Sequence, residues 1–230
     1  MTQPAIQSFD QRFARYSRKY LLQRHFHFIG QMGTVYSHSG RSTLYIMNHS
    51  SWWDGLVAYF AIQQEDSGVH YLMINHEQMS NLLPPQEKDS SQTLSTTLQS
   101  AIQLLHQGER VWLFPQGEIQ HLDQRPLSFQ TDVGHLLQKC PHTQVKPVTV
   151  QYLMGTKMKP EATLWFGEPF SLDWSTLSLE EITRYLQVRL EKQLDDHKAR
   201  LLSHPVGSCS DFVPLLKNEG SRKKWFRFPF

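Results

Sequence analysis

The sequence predicts an α/β domain whose mixed, largely parallel sheet is flanked by helices. Two observations carry that expectation: short apolar runs alternate with helix-spaced leucines, and glycine or proline punctuates several of the changes of element. With 230 residues, 39% of them hydrophobic and 19% charged, the chain can bury one substantial core.

Residues 1–40 are expected to form an N-terminal helical element, 41–205 the main domain and 206–230 a basic, aromatic tail. Within the first, Arg12, Arg15, Arg18 and Lys19 interleave with Phe13, Tyr16 and Tyr20, an amphipathic basic pattern. Leu44 to Met47 is an apolar run expected to form a buried strand, and Ser51 to Gln64 a following helix. Val69 to Ile74 reads as a second strand, and Asn81 to Ser91, with Pro84 and Pro85, as a loop.

Leu94, Leu98, Ala101, Leu104 and Leu105 keep helical spacing up to Gly108. Val111 to Phe114 is a short strand halted by Pro115, and Phe129 to Lys139 a helix. Val145 to Met154 and Ala162 to Phe166 read as strands. Ser178-Leu179-Glu180-Glu181 is a capping-box pattern that opens a helix with Ile182, Leu186, Leu190 and Leu194 on one face.

Several function classes are disfavoured. A formal net charge of only +2 gives no global basic field for nucleic acid. Cys140 and Cys209 supply neither metal spacing nor a disulfide framework, which fits a reducing cytoplasm. The 12 histidines include no HExxH arrangement, so no metal site is expected. Met1 to Phe9 lacks a signal-peptide layout. No stretch approaches the roughly 20 apolar residues of a membrane span, so membrane association is expected to be peripheral, at the inner face.

The chemistry concentrates where the first long apolar strand ends. In Asn48-His49-Ser50-Ser51-Trp52-Trp53-Asp54, a histidine leaves the strand and a carboxylate follows five residues later. If the chain turns there, Asp54 can accept a proton bond from one ring nitrogen and leave the other free to act as a base. Ser51-x-x-Asp54 is equally a helix N-cap pattern, and taken alone the segment favours that structural reading. A second segment, Val111 to Glu118, ends a strand in Phe114-Pro115-Gln116-Gly117, where glycine allows close backbone approach. A third, Val145-Lys146-Pro147-Val148, is an apolar strand entered through proline.

In this order, the three segments resemble the glycerolipid acyltransferase family that makes phosphatidic acid. Asn48-His49-x4-Asp54 matches its Asn-His-x4-Asp block, Phe114 to Gly117 its Phe-Pro-Glu-Gly block, and Lys146-Pro147-Val148 its late Val-Pro-Val block. The likeness runs from about Leu44 to Phe170 and makes 41–205 an acyltransferase domain. It implies attack of an acceptor hydroxyl on an acyl thioester, with His49 as general base and Asp54 orienting it. Acyl-CoA or acyl carrier protein would be co-substrate, with no metal or other cofactor. Oxyanion donors are expected among backbone N–H groups near Asn48 and Gly117.

The chain departs from that pattern in ways that bear on the acceptor. Gln116 replaces the family's glutamate, Ile119 stands where an arginine associated with acceptor phosphate is found, and the block expected between Tyr71 and Ser91 is missing. Without a guanidinium a phosphate loses its bidentate contact, and Glu118 would repel it. The expected acceptor is therefore a non-phosphate lipid such as a glycosylated one, read by Gln116 and Glu118, with Asn48, Gly117 and Pro147 lining the site. Arg125 could restore a phosphate contact, which keeps lysophosphatidic acid as the alternative acceptor. A hydrolase using the same pair is disfavoured because no Gly-x-Ser-x-Gly occurs. A non-catalytic lipid-binding homologue is the remaining alternative. The basic aromatic stretches Arg12–Tyr20 and Arg222–Phe230 suit contact with an anionic membrane surface.

Overall fold

The computed structural model describes residues 6–8, 16–37, 40–65, 68–73, 90–204 and 210–218. Strands β1 (Ile6–Ser8), β2 (Phe28–Met32), β3 (Thr43–Met47), β4 (His70–Met73), β5 (Arg110–Leu113), β6 (Gln144–Leu153), β7 (Glu161–Phe166) and β8 (Val213–Lys217) form one sheet. Their order is β1-β4-β5-β3-β6-β7-β2-β8. The central strands β4, β5, β3 and β6 run parallel, and β2 runs parallel to β7. Antiparallel pairings join β6 to β7 and add the edge strands β1 and β8. The mixed, largely parallel α/β sheet expected from the sequence is thus what forms.

The helices are α1 (Gln23–His25), which continues a π-helical segment (Ser17–Leu22), then α2 (Asp54–Glu65), α3 (Ser90–His106), α4 (Asp132–Lys139) and α5 (Leu179–Leu202). They divide between the two faces of the sheet. On one face α2 buries Val57, Ala58, Phe60, Ala61 and Ile62 against Tyr45, Met47, Val148 and Val150. Such a run of consecutive buried residues needs cover on both sides of the helix. Leu22 and Phe26 join the same cluster, and the Arg18 guanidinium lies over the Phe60 ring at 5.7 Å.

The other face carries α3, α4 and α5. Ala101, Leu105, Val133, Leu136, Leu137, Ile182, Leu186, Leu190 and Leu194 pack there on Leu44, Ile46, Val111 and Val145. Each fully buried leucine contributes about 2–3 kcal/mol by removing its side chain from water. The predicted capping box is formed: Glu181 N–H donates to Ser178 Oγ at 3.2 Å, and Ser178 N–H to Glu181 Oε2 at 2.8 Å.

The sheet takes strands from all three segments read in the sequence. Residues 1–40 supply β1 and β2 beside the helical turns, and β8 follows α5 within 206–230. Arg12, Phe13, Arg15 and the stretch Arg222–Phe230 lie outside the described residues.

Candidate active site

The site is built where β6 outruns β3. β3 pairs with β6 only from Gln144 to Val148, while β6 continues to Leu153 along β7. Asn48 fills the step. Its Nδ2 donates to the Val150 carbonyl at 3.2 Å and its Oδ1 accepts from Val150 N–H at 2.8 Å, copying the backbone of a strand.

The other side of the His49 backbone is held by the loop after β5. His49 N–H donates to Gln116 Oε1 at 2.6 Å, and the His49 carbonyl accepts from Gln120 N–H at 3.0 Å. Gln116 Nε2 donates to Gln120 Oε1 at 2.9 Å, which closes a ring of three hydrogen bonds. Gln116 is 2% exposed, so its amide is consumed in positioning His49. Gly117 turns the chain with φ of 75°, a conformation that favours glycine, and its N–H donates to the Phe114 carbonyl at 3.0 Å. The two loops therefore converge at the carboxyl ends of parallel strands, where α/β folds place their ligands.

Within this frame the His49 ring stacks on Phe114, with centroids 4.2 Å apart. His49 Nδ1 lies 2.9 Å from Asp54 Oδ2. Because an ionised carboxylate only accepts, this bond puts the proton on Nδ1 and leaves the Nε2 lone pair available. Nε2 has no hydrogen-bond partner among the described residues. His49 is 5% exposed and Asp54 fully buried.

Asp54 is the first residue of α2, whose N-terminal dipole favours its negative charge. Oδ2 also accepts from Ser50 N–H at 2.7 Å and Ser51 N–H at 2.8 Å, while Oδ1 accepts from the Tyr152 hydroxyl at 2.6 Å. Burial, and then the Asp54 charge, push the Tyr152 phenol well above its ordinary pKa, so it remains a donor. Beside the pair, Ser50 Oγ is buried without a hydrogen-bond partner among the described residues.

The sequence reading missed Tyr152 and Gln120. Period-two alternation along β6, with Val148, Val150 and Tyr152 on the α2 face, is the signal that could have found the tyrosine.

The remaining expected residues are placed as follows. Glu118 and Ile119 are exposed in the loop after β5, Ile119 at 49%. The Arg125 guanidinium is engaged by Asp195 of α5 at 3.0 and 2.7 Å rather than held free for a phosphate. Pro147 is buried in β6 opposite Ile46, and its carbonyl accepts from Gly167 N–H at 2.9 Å. The N–H groups of His49, Ser50, Ser51, Gly117 and Gln120 are all paired, so the oxyanion donor expected near these loops is none of these as they stand.

Outside the pair, Trp52 is 56% exposed and lies tilted against Trp53 with centroids 4.0 Å apart, and Trp53 in turn meets His25 at 5.2 Å and Phe26 at 5.1 Å. A groove of about 940 Å³, lined by Arg41, His106, Cys140 and His142 among others, lies at the amino ends of β3 and β6, away from His49.

Comparison with protein families finds the acyltransferase family over residues 25–151, more than half of the chain. The chain belongs to the acyltransferase family. Among solved structures it is similar to the crystal structure of the 1-acyl-sn-glycerophosphate (LPA) acyltransferase, PlsC, from Thermotoga maritima. The TM-score is 0.52 at 18% identity, covering 82% of this chain and 78% of that one. That likeness is one of fold. No curated protein gives a significant match. In this acyltransferase the matched segment contains His49, Asp54 and the Gln116 loop, and stops one residue short of Tyr152. No helix among the described residues is long and apolar enough to cross a membrane.

Proposed function

We propose that this acyltransferase moves a fatty acyl group from a thioester, acyl-CoA or acyl carrier protein, to a hydroxyl of a lipid lacking phosphate, such as a glycosylated lipid. The observation that carries the chemistry is His49 Nδ1 held 2.9 Å from buried Asp54, with Nε2 left without a partner among the described residues. Nε2 takes the acceptor's hydroxyl proton as its oxygen attacks the thioester carbonyl carbon. The carbonyl electrons form an oxyanion. When they return, the C–S bond breaks and the thiolate receives the proton from Nε2–H, giving ester and free thiol. Asp54 fixes the tautomer and stabilises the imidazolium between these steps.

The acceptor class rests on charge. Exposed Ile119 and Glu118 follow the Gly117 turn, and Arg125, the nearby cation in sequence, is paired with Asp195. Gln116, expected to bind acceptor hydroxyls, has both ends of its amide occupied and instead sets the His49 backbone. Glu118 remains an exposed polar group for hydroxyls.

We assign the membrane-facing surface to Tyr16, Arg18, Lys19, Tyr20 and Trp52, all exposed. Trp side chains favour the interface, and cations are drawn to anionic headgroups.

The test is transfer from labelled acyl-CoA and acyl carrier protein to lysophosphatidic acid, other lysophospholipids and glycosylated lipids, with His49→Ala alongside. Transfer abolished by the substitution and greatest to a glycosylated acceptor is expected. A wide preference for lysophosphatidic acid would overturn the acceptor class, and transfer undiminished in His49→Ala would overturn the catalytic assignment.

A further inference from the structure

Asp54 has two carboxylate oxygens, and only one of them can face the imidazole squarely. Oδ2 accepts from His49 Nδ1, Ser50 N–H and Ser51 N–H, while Oδ1 is held by the Tyr152 hydroxyl at 2.6 Å. The tyrosine comes from the far end of β6, 98 residues away in sequence, and reaches Asp54 because β6 overhangs β3 at the amino end of α2. Its ring is itself located, 6.2 Å from Phe26, in the cluster that packs α2 on the sheet.

We infer that Tyr152 is a positioning residue for the His49–Asp54 pair, its hydroxyl fixing the carboxylate so that Oδ2 faces the imidazole. This inference rests on the transfer chemistry proposed above, but the coupling it describes is readable without turnover.

The sign of the effect follows from the hydrogen bond. A donor on Oδ1 withdraws charge from the carboxylate, so removing it makes Asp54 the stronger acceptor and stabilises the protonated imidazole. Loss of the hydroxyl also leaves Oδ1 buried without a donor, which again favours a positive neighbour. Tyr152→Phe therefore raises the imidazole's titration midpoint, and replacing Tyr152 by 3-fluorotyrosine, a stronger donor, lowers it.

Other titratable groups on the surrounding elements are Arg18, Lys19 and Tyr20 of the π-helical segment, Arg24 and His25 of α1, Tyr59 and Glu65 of α2, Glu118 and His121 in the loop after β5, Lys146 of β6, Glu161 of β7, and His70 and Arg110 on β4 and β5. Lys146 is bonded to the Tyr36 carbonyl at 2.6 Å, and the Trp112 indole N–H donates to His70 Nδ1 at 2.8 Å. Neither substitution alters these groups, so their contribution is common to all variants.

The experiment records the ¹⁵N titration of the His49 ring, assigned with His49→Gln, in wild type, Tyr152→Phe and the 3-fluorotyrosine protein. The pH profile of kcat and kcat/KM for acyl transfer is measured on the same samples. Expected are an upward midpoint shift on the order of one unit for Tyr152→Phe, a downward shift for 3-fluorotyrosine, and acid limbs that follow each. In Tyr152→Phe, kcat falls by about tenfold or more with KM unchanged, as for an interaction used in the chemical step. Midpoints unmoved in both variants would overturn the role of Tyr152 even if transfer is intact. Midpoints that move while wild type transfers nothing would uphold the coupling and overturn the catalytic reading on which it rests. Should Tyr152→Phe fail to fold, the fluorinated protein, which keeps the ring and hydroxyl, decides the matter alone.

Discussion

Gln116 holds the backbone of His49: its Oε1 accepts the His49 N–H at 2.6 Å, and its Nε2 binds Gln120, whose own N–H returns to the His49 carbonyl. The residue that stands where a glutamate was expected is a strut beneath the histidine. A glutamate could make the first contact, but its second oxygen would face Gln120 Oε1, acceptor against acceptor. The glutamines at 116 and 120 therefore make a matched pair.

It follows that Gln116→Ala lowers transfer without changing acceptor choice. The substitution leaves His49 N–H buried and unpaired, a penalty of about 1–3 kcal/mol, and leaves Gln120 Oε1 with only the 3.3 Å bond from Ser128 N–H. Gln116→Glu keeps the first contact and obliges Gln120 to turn its amide, giving up the 3.3 Å bond from Ser128 N–H. Acceptor panels run with both variants check this. A changed rank order of acceptors would mean that Gln116 does touch substrate.

Asp54→Asn separates charge from shape. Its remaining oxygen can serve the Ser50 and Ser51 N–H groups and His49, while the new NH2 donates to the Tyr152 oxygen, which can accept. The fold should survive, so the loss reads out the missing negative charge. A fall in kcat of roughly 10²–10⁴ is expected, the range of a general base deprived of support. Single-turnover kinetics beside circular dichroism test it, and a loss below about threefold would remove Asp54 from the mechanism.

What the sequence disclosed follows the reach of each interaction. The His49–Asp54 pair is legible because its members lie five positions apart, and the turn that opens α2 brings them together. Strands β3, β5 and β6 and the capped helix α5 announce themselves through local apolar periodicity and the Ser178 box. Strand β2, with Gly30 and Gln31, and edge strand β8, with Pro214, lack such a pattern, since their pairing depends on partners far along the chain. Tyr152 and Gln120 were silent for the same reason. Only the register of β6 past β3 puts the tyrosine on Asp54.

His197 makes the fold acid-sensitive. It is fully buried between Thr149 and Thr163, each hydroxyl 2.9 Å from a ring nitrogen, and burial pushes its pKa down to about 3. Between that value and the ordinary 6.5, the unfolded chain binds a proton that the native one refuses. Stability is thus fully present above pH 6.5 and falls on acidification, at up to about 1.4 kcal/mol per pH unit from this residue. Urea unfolding of wild type and His197→Gln between pH 4 and 7 isolates the effect. The variant, less stable at pH 7, should show the flatter slope, and parallel slopes would refute this.

Membrane contact is tested at residues that leave the His49 network untouched. Trp52, Arg18 and Lys19 are exposed, and replacing the two cations by alanine removes about 1 kcal/mol each of attraction to anionic lipid. Co-sedimentation with phosphatidylserine vesicles should weaken by roughly 30-fold at low salt, and Trp52→Ala should weaken it further. Deleting Arg222–Phe230 should act in the same direction. Binding unchanged in all three would place the membrane-facing surface elsewhere.

The acceptor itself can be challenged by restoring a cation. Ile119 is half-exposed in the loop that follows the Gly117 turn, so an arginine there meets little steric resistance. A guanidinium offers a phosphate two parallel donors, worth about 0.5–1.5 kcal/mol in part-exposed surroundings, or roughly 2- to 10-fold in kcat/KM. Ile119→Arg should therefore raise transfer to lysophosphatidic acid within that range, and Glu118→Gln combined with it should raise it further by removing the repelling carboxylate. Transfer to glycosylated acceptors should fall in the double variant, because Glu118 is assigned to receive their hydroxyls. If lysophosphatidic acid gains nothing from either change, the phosphate of a natural acceptor does not approach this loop, and the charge argument for a neutral lipid loses its basis.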